Sequence, residues 1–409
     1  MNNLFGKSFY GNRLGSRSVL PVLIILAATI SAKCSSASSK GAEPAAIVAS
    51  AASNSAPAPA PAKASDENWE RMSMPRVGDV WTLNALAFIS PEEGWAVGQD
   101  QDSIKGVVLH YSNGAWQTEF MPAAGKYWTI HIVAISLAGQ KDGWAVGDKY
   151  YIWADPDRFK PFVLRMVNGK WSVSNVPNPG QSSDLSGVTA LPGGGAVAVG
   201  GVTTKDKQRE ALIMRFDRGW SVVQNPAVDV RWWELHDVVF PTVDHGWAVG
   251  KAVHPNDKEN SLVVLEYKDG KWTQSQVPPA HGLKHSLLCV SFPTPDAGWA
   301  AGQGALLRYR NGKWEQEKIE GDLDNWTIRS ISFTSPENGW AIGWDDAKKS
   351  PLWLRRSPQG WKRVSSSWDD KLQELNGIFF LKSGMGWATG SITGDSEYPG
   401  FVFRYKGNQ

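Results

Sequence analysis

Hydrophobic positions in this chain come in short runs rather than helical stripes. From residue 67 onward, apolar stretches such as 83–90, 107–111 and 116–121 are separated by Gly, Pro, Asn and Asp. That pattern predicts many short strands. Within a run, parity sorts side chains by size. Ala85 and Ala87 alternate with Leu86 and Phe88, and Ser330 and Ser332 with Ile331 and Phe333. Successive strand side chains point to opposite faces, so such sheets have one small and one large face. They are expected to stack as wedges.

The runs belong to a repeat. Gly94-Trp95-Ala96-Val97-Gly98 returns at 143–147 and 246–250, with variants at 298–302, 339–343 and 386–390. A seventh copy, 196–200, has Val197 in place of Trp. The Trp positions are spaced by 49, 53, 50, 52, 41 and 47 residues, a period typical of propellers, solenoids and arrays. Six of the seven units also hold a hairpin signal. Asn113-Gly114-Ala115-Trp116 recurs as Asn168-Gly169-Lys170-Trp171, Asp269-Gly270-Lys271-Trp272 and Asn311-Gly312-Lys313-Trp314. Asn-Gly favours the positive φ angles of a two-residue turn. Shorter forms stand at 218–220 and 359–361.

The last unit, 371–409, lacks a fourth strand, and residues 67–75 match what is missing. Trp69 to Pro75 reads like Trp116 to Pro122. The expected architecture is therefore all-β: a seven-bladed β-propeller of four-stranded antiparallel blades over 67–409, its last blade closed by the N-terminal strand. Such closure removes an exposed sheet edge.

These motifs resemble the sialidase-like, Asp-box (bacterial neuraminidase repeat) propellers. They are most similar to the branch typified by the photosystem II stability and assembly factor. Only the Asn/Asp-Gly-x-Trp core of the Asp box is present, and the three-arginine set of sialidases is not placed. The resemblance implies a propeller fold and, from the photosynthetic members, an exported assembly chaperone that is lipid-anchored in some cases.

The N-terminus fits export. Lys7, Arg13 and Arg17 precede an apolar run from Val19 to Ile30, so residues 1–32 read as a signal peptide. Ser31-Ala32-Lys33-Cys34 resembles a lipobox with Lys33 at an unusual place, making Cys34 a lipidation candidate. Residues 33–66 are rich in Ser, Ala and Pro and are expected to form a disordered tether. The expected location is the bacterial periplasm or cell surface.

The formal charge is +2, yet four cations and no acids lie in the first 33 residues, leaving −2 in the rest. With no basic block there, nucleic acid is not expected as a partner. Cys289 sits in an apolar strand and reads as a small buried hydrophobe. The seven His are scattered, so neither metal nor cofactor is expected, and a monomer is.

Candidate contacts lie where chains enter the first strands. Trp81, Trp128, Trp233 and Trp326 start a shared pattern ending in Asn84, His131, His236 and Arg329, with Asn376 at the matching place in the last unit. These polar residues are expected to ring the channel mouth. The loop from Lys149 to Pro161 adds Tyr151 and Trp153. Aromatic side chains beside Arg and His are the composition of binding hot spots, so a protein or glycan partner is expected at this face. The leading reading is a non-catalytic binding or assembly scaffold. The alternative is a glycan-binding or sialidase-like glycoside hydrolase propeller, for which Glu234 and Glu374 are the candidate carboxylates.

Overall fold

The computed structural model describes residues 68–407, except 124, 152–158, 229, 231, 254–259, 280–284, 321–324 and 393–398. The proposed signal peptide, tether, Cys34 and Trp153 lie outside the described residues. The rest is all-β, with 3-10 turns at Pro192–Gly194 and Asp369–Lys371. The strands form antiparallel four-stranded meanders spanning 81–120, 128–173, 182–223, 232–274, 286–316, 326–364 and 372–405. Two of these are joined into one larger sheet by the single pair Gln303↔Thr327. The last meander supplies only three strands of its own. Its fourth is Trp69–Arg71, which pairs with Gly400–Tyr405 in the register Trp69↔Tyr405 and Arg71↔Phe403.

The first strands are Trp81–Ser90, Trp128–Leu137, Ser182–Ala190, Trp232–Thr242, Ser286–Thr294, Trp326–Ser335 and Leu372–Phe380. Each contacts the first strand of the next meander, and the last contacts the first. Meanders following one another around a closed circuit are the arrangement of a β-propeller.

The five-residue motif accounts for this packing. Its first glycine lies under a Phe ring: a Cβ at Gly94, Gly246, Gly298, Gly339 or Gly386 would strike Phe88, Phe240, Phe292, Phe333 or Phe380. Its Trp stacks on the Phe of the following meander. Trp247 lies 3.8 Å from Phe292, Trp299 5.0 Å from Phe333, and Trp387 3.6 Å from Phe88 across the circuit's join. The hairpin Trp meets the same Phe edge-on, as Trp116 does at Phe88. Trp69 fills this place in the last meander, edge-on to Phe380 and 5.2 Å from Tyr405. It is 5% exposed.

The motif's last glycine answers a different need. A Cβ at Gly98, Gly200, Gly250 or Gly390 would collide with the carbonyl oxygen of Thr82, Asp184, Glu234 or Glu374 on the first strand. Just beyond that contact each first strand carries a β-bulge, as between Leu83 and Ala85 or Leu235 and Asp237. Glycine therefore permits the close approach that the bulge imposes.

Third strands add a pairing that the sequence reading missed. Opposite the motif Trp stands an arginine in four meanders: Arg165, Arg308, Arg355 and Arg404 face Trp144, Trp299, Trp340 and Trp387, while the His110 ring stacks on Trp95 at 4.5 Å. Arg165 lies 5.0 Å over Trp144 and Arg308 5.1 Å over Trp299, within cation–π range. The hairpin turns follow the expectation. Asn113, Asn168, Asp269 and Asn311 have φ of 51–53°, each followed by a glycine at 74–80°.

Candidate functional site

The bulges decide what the candidate ring is. The bulged residues are Asn84, Val133, Ser186, His236, Leu288, Arg329 and Asn376. Four of the five expected ring residues are among them. The second meander departs from the expected alignment. There Gly147 opposes Ile132, not Ile130, so Val133 takes the bulge and His131 matches Thr82. Trp128 correspondingly starts two residues earlier than Trp81. With Ile at both 130 and 132, the apolar pattern fits either register; the glycine contact selects one.

The ring's polar side chains are largely committed to holding neighbouring sheets together. Asn84 Nδ2 donates to the Ile132 carbonyl at 2.9 Å, and Asn376 Nδ2 to the Leu83 carbonyl at 3.1 Å. Arg329 Nη1 donates to Asn376 Oδ1 at 2.8 Å. Each bond runs from one first strand to the next. Trp81 and Trp233 are buried and belong to the scaffold; Trp128 and Trp326 are half-buried.

A second polar layer precedes the bulges by two residues: Thr82, His131, Asp184, Glu234, Ser286, Thr327 and Glu374. Its signal was a polar residue directly before the buried Leu or Ile of each first strand. Here the charges neutralise one another. Arg209 bridges Asp184 and Glu234, its Nε 3.0 Å from Glu234 Oε2, while Lys251 Nζ lies 3.3 Å from Glu234 Oε1. Glu374 Oε1 is 3.9 Å from Arg329, and its Oε2 accepts from Asn376 at 3.4 Å. Both candidate carboxylates are thus engaged by the protein. They stand on the first strands of the fourth and last meanders in chain order.

Burial shifts His131, Asp237 and Cys289. His131 has Asp148 Oδ1 3.7 Å from its Nδ1, yet desolvation dominates and pushes the imidazole down to about 4. Asp237 follows the fourth-meander bulge. Its carboxylate accepts from Val238 N at 2.8 Å and, across the sheet boundary, from Val290 N at 2.9 Å. Burial outweighs both bonds and pushes it up to about 7. Ser330 does the same job uncharged, accepting from Ile378 N at 3.1 Å. Cys289 beside Asp237 is buried, with its thiol pushed up chiefly by desolvation.

Among the described second strands, that of the second meander runs longest past the motif glycine. It continues for four residues, to Tyr151, where the first meander's stops after two, at Asp100. Trp128 pairs with Tyr151, and Lys149 with Lys160. Tyr127 and Trp128 lie 6.2 and 5.7 Å from Tyr151. Lys126 stands 4.8 Å over Tyr127, with Lys160 at 5.0 Å and Lys149 at 5.8 Å over Trp128. Tyr127 is 36% exposed and has φ of 68°, a left-handed conformation unusual for a bulky residue.

A cleft of about 890 Å³ lies along Glu70–Arg76, walled by Trp81, Trp368 and Gly400. Arg71 and Lys371 lie 5.8 and 5.4 Å over Trp368. Among the described residues, no group of three His, Cys, Asp or Glu is placed to hold a metal ion.

No family model matches the chain, and no curated protein does. Solved structures do. A Trypanosoma rangeli sialidase in complex with the inhibitor DANA is similar over 83% of this chain and 60% of its own, at 10% identity and a TM-score of 0.46. The GH74 xyloglucanase of Xanthomonas campestris is similar over 81% and 55%, at 12% identity and 0.49. A prolyl endopeptidase is similar over 79% and 50%, at 13% identity and 0.47. The chain thus spans between half and three fifths of the structures it matches.

Proposed function

We propose that this chain is a seven-bladed β-propeller that works as a non-catalytic binding or assembly scaffold, exported and tethered to a membrane. Its contact surface is the aromatic projection of the second blade rather than the whole polar ring. The observation that carries this reading is the exposure of Tyr127, with Trp128 and Tyr151 beside it, on the blade whose second strand runs longest past the motif glycine among the described residues. Tyr and Trp are the residues on which interfaces concentrate binding energy. The polar ring is engaged in bonds between sheets, which suits a rigid support.

Hydrolysis is less well served. Glu234 spends both oxygens on cations, and glycoside cleavage needs two carboxylates turned toward one bond. The membrane tether rests on the leader, Cys34 and the Ala/Pro-rich segment. Labelled palmitate should enter the wild-type chain in a bacterial host and not Cys34→Ser; equal labelling would remove the anchor.

A photo-crosslinking residue placed at Tyr151 tests the scaffold reading in the native host. One discrete protein adduct is expected there and none from the same residue at Thr273, on an outer strand. No adduct at Tyr151, together with turnover of a glycoside substrate, would transfer the case to the hydrolase.

A further inference from the structure

Three ammonium groups converge on the projecting aromatics. Lys126, Lys149 and Lys160 come from the approach to the first strand, the end of the second and the start of the third. They meet only because the second meander is extended. None of the ion pairs among the described residues involves them. The contrast with the mouth is direct, since Arg209 and Lys251 there are matched by Asp184 and Glu234. The connecting residues 152–158 add two acids and one base in sequence, which leaves this element net positive.

The placement of the ammoniums also selects among ligands. A sugar ring stacks on an open aromatic face, but Trp128 already has Lys160 and Lys149 over its ring. What remains on offer is a set of donors anchored on aromatic faces and without a counter-charge among the described residues. Tyr127 reinforces this. A tyrosine held at φ of 68° costs backbone energy, and at this position its ring stays at the surface beside Lys126.

We propose, resting on the scaffold reading above, that the partner of this face is an acidic protein segment. Its Asp or Glu side chains pair with Lys126, Lys149 and Lys160 while its neighbouring apolar groups lie on Tyr127 and Tyr151. Electrostatic complementarity of this kind sets on-rate and specificity and is screened by salt.

The test uses the folded chain and a fluorescein-labelled peptide of mixed Glu and Tyr. Binding should weaken about tenfold in the triple variant Lys126→Glu, Lys149→Glu and Lys160→Glu. It should be unchanged in a control reversing the exposed hairpin lysines Lys170, Lys271 and Lys313. Raising the salt should weaken wild-type binding and, by screening the new repulsion, hold or raise what the triple variant retains. Tyr127→Gly, which accommodates the φ without strain, should weaken binding while the melting temperature holds or rises. Equal binding by the triple variant and the control would overturn the proposal. So would patch-dependent binding to phosphatidylserine vesicles or a sulfated glycan without patch-dependent binding of the peptide. Should the Tyr151 adduct persist undiminished in the triple variant, the scaffold stands and the acidic partner falls. Absence of that adduct from wild type defeats the scaffold itself.

Discussion

At the scale of single residues, two glycines in one motif serve unlike purposes. Gly98 and Gly250 tolerate no side chain because a carbonyl oxygen occupies the space. Gly250→Ala should cost about 3 kcal/mol or more, the range of severe core disruption, read by chemical denaturation. Gly114 has φ of 80° and open space around it. Gly114→Ala should cost only about 1 kcal/mol. Similar losses at both sites would mean that the bulge contact is soft.

Asp237 and His131 make opposite contributions to pH dependence. Asp237 titrates near 7 when folded and near 3.8 when not. Its stabilising contribution is full below the unfolded value and is lost as pH rises through 7. His131 is depressed to about 4 from 6.5. Its contribution is present above 6.5 and is lost as pH falls toward 4. Asp237→Ser, copying Ser330, should therefore flatten the fall in melting temperature between about pH 4 and 7. His131→Gln should reduce the loss on the acid side. An unaltered profile in either variant would assign that slope to other groups. Neither behaviour was legible in the sequence, because burial at these positions is created by the neighbouring sheet.

At the scale of elements, strands and turns were largely readable. A two-residue turn demands positive φ, so Asn113-Gly114 and its copies declare themselves. The replacement strand was readable too, since Trp69 to Pro75 repeats the spacing of Trp116 to Pro122. The side-chain site was not. Arg209 reaches Glu234 across a sheet boundary, and no spacing along the chain announces that. Val133 in the bulge shows the same limit: Ile130 and Ile132 are equivalent by pattern, and only Gly147 on the adjacent strand distinguishes them. Trp69→Ala should remove contacts with Trp340, Trp353, Phe380 and Tyr405 and cost about 3–5 kcal/mol. Glu70 is exposed, paired with Arg404 and Lys406 at the surface. Glu70→Ala should change stability by less than about 1 kcal/mol. Thermal unfolding of the pair separates the packing role of this strand from its charges.

At the scale of the whole molecule, rigidity and recognition are divided. Asn84, Arg329 and Asn376 join adjacent first strands, while the second meander carries its aromatics beyond them. Disturbing the ring should therefore lower stability without moving the peptide-binding patch. Asn376→Ala should depress the melting temperature yet leave binding of the acidic peptide within about twofold, since its bonds run to the sixth and first meanders and share no partner with the patch.

Trp69 meets Tyr405, about 336 positions further along the chain. During synthesis the early meanders have local partners available at once, whereas this contact must await translation of every meander in between. Completion is thus a late, non-local event, of the kind that slows folding and leaves a sheet edge open to other chains meanwhile. New termini cut at the exposed turn Asn311–Gly312, with residue 407 linked to residue 68, would relocate that vulnerable moment to a different sheet without altering the finished architecture.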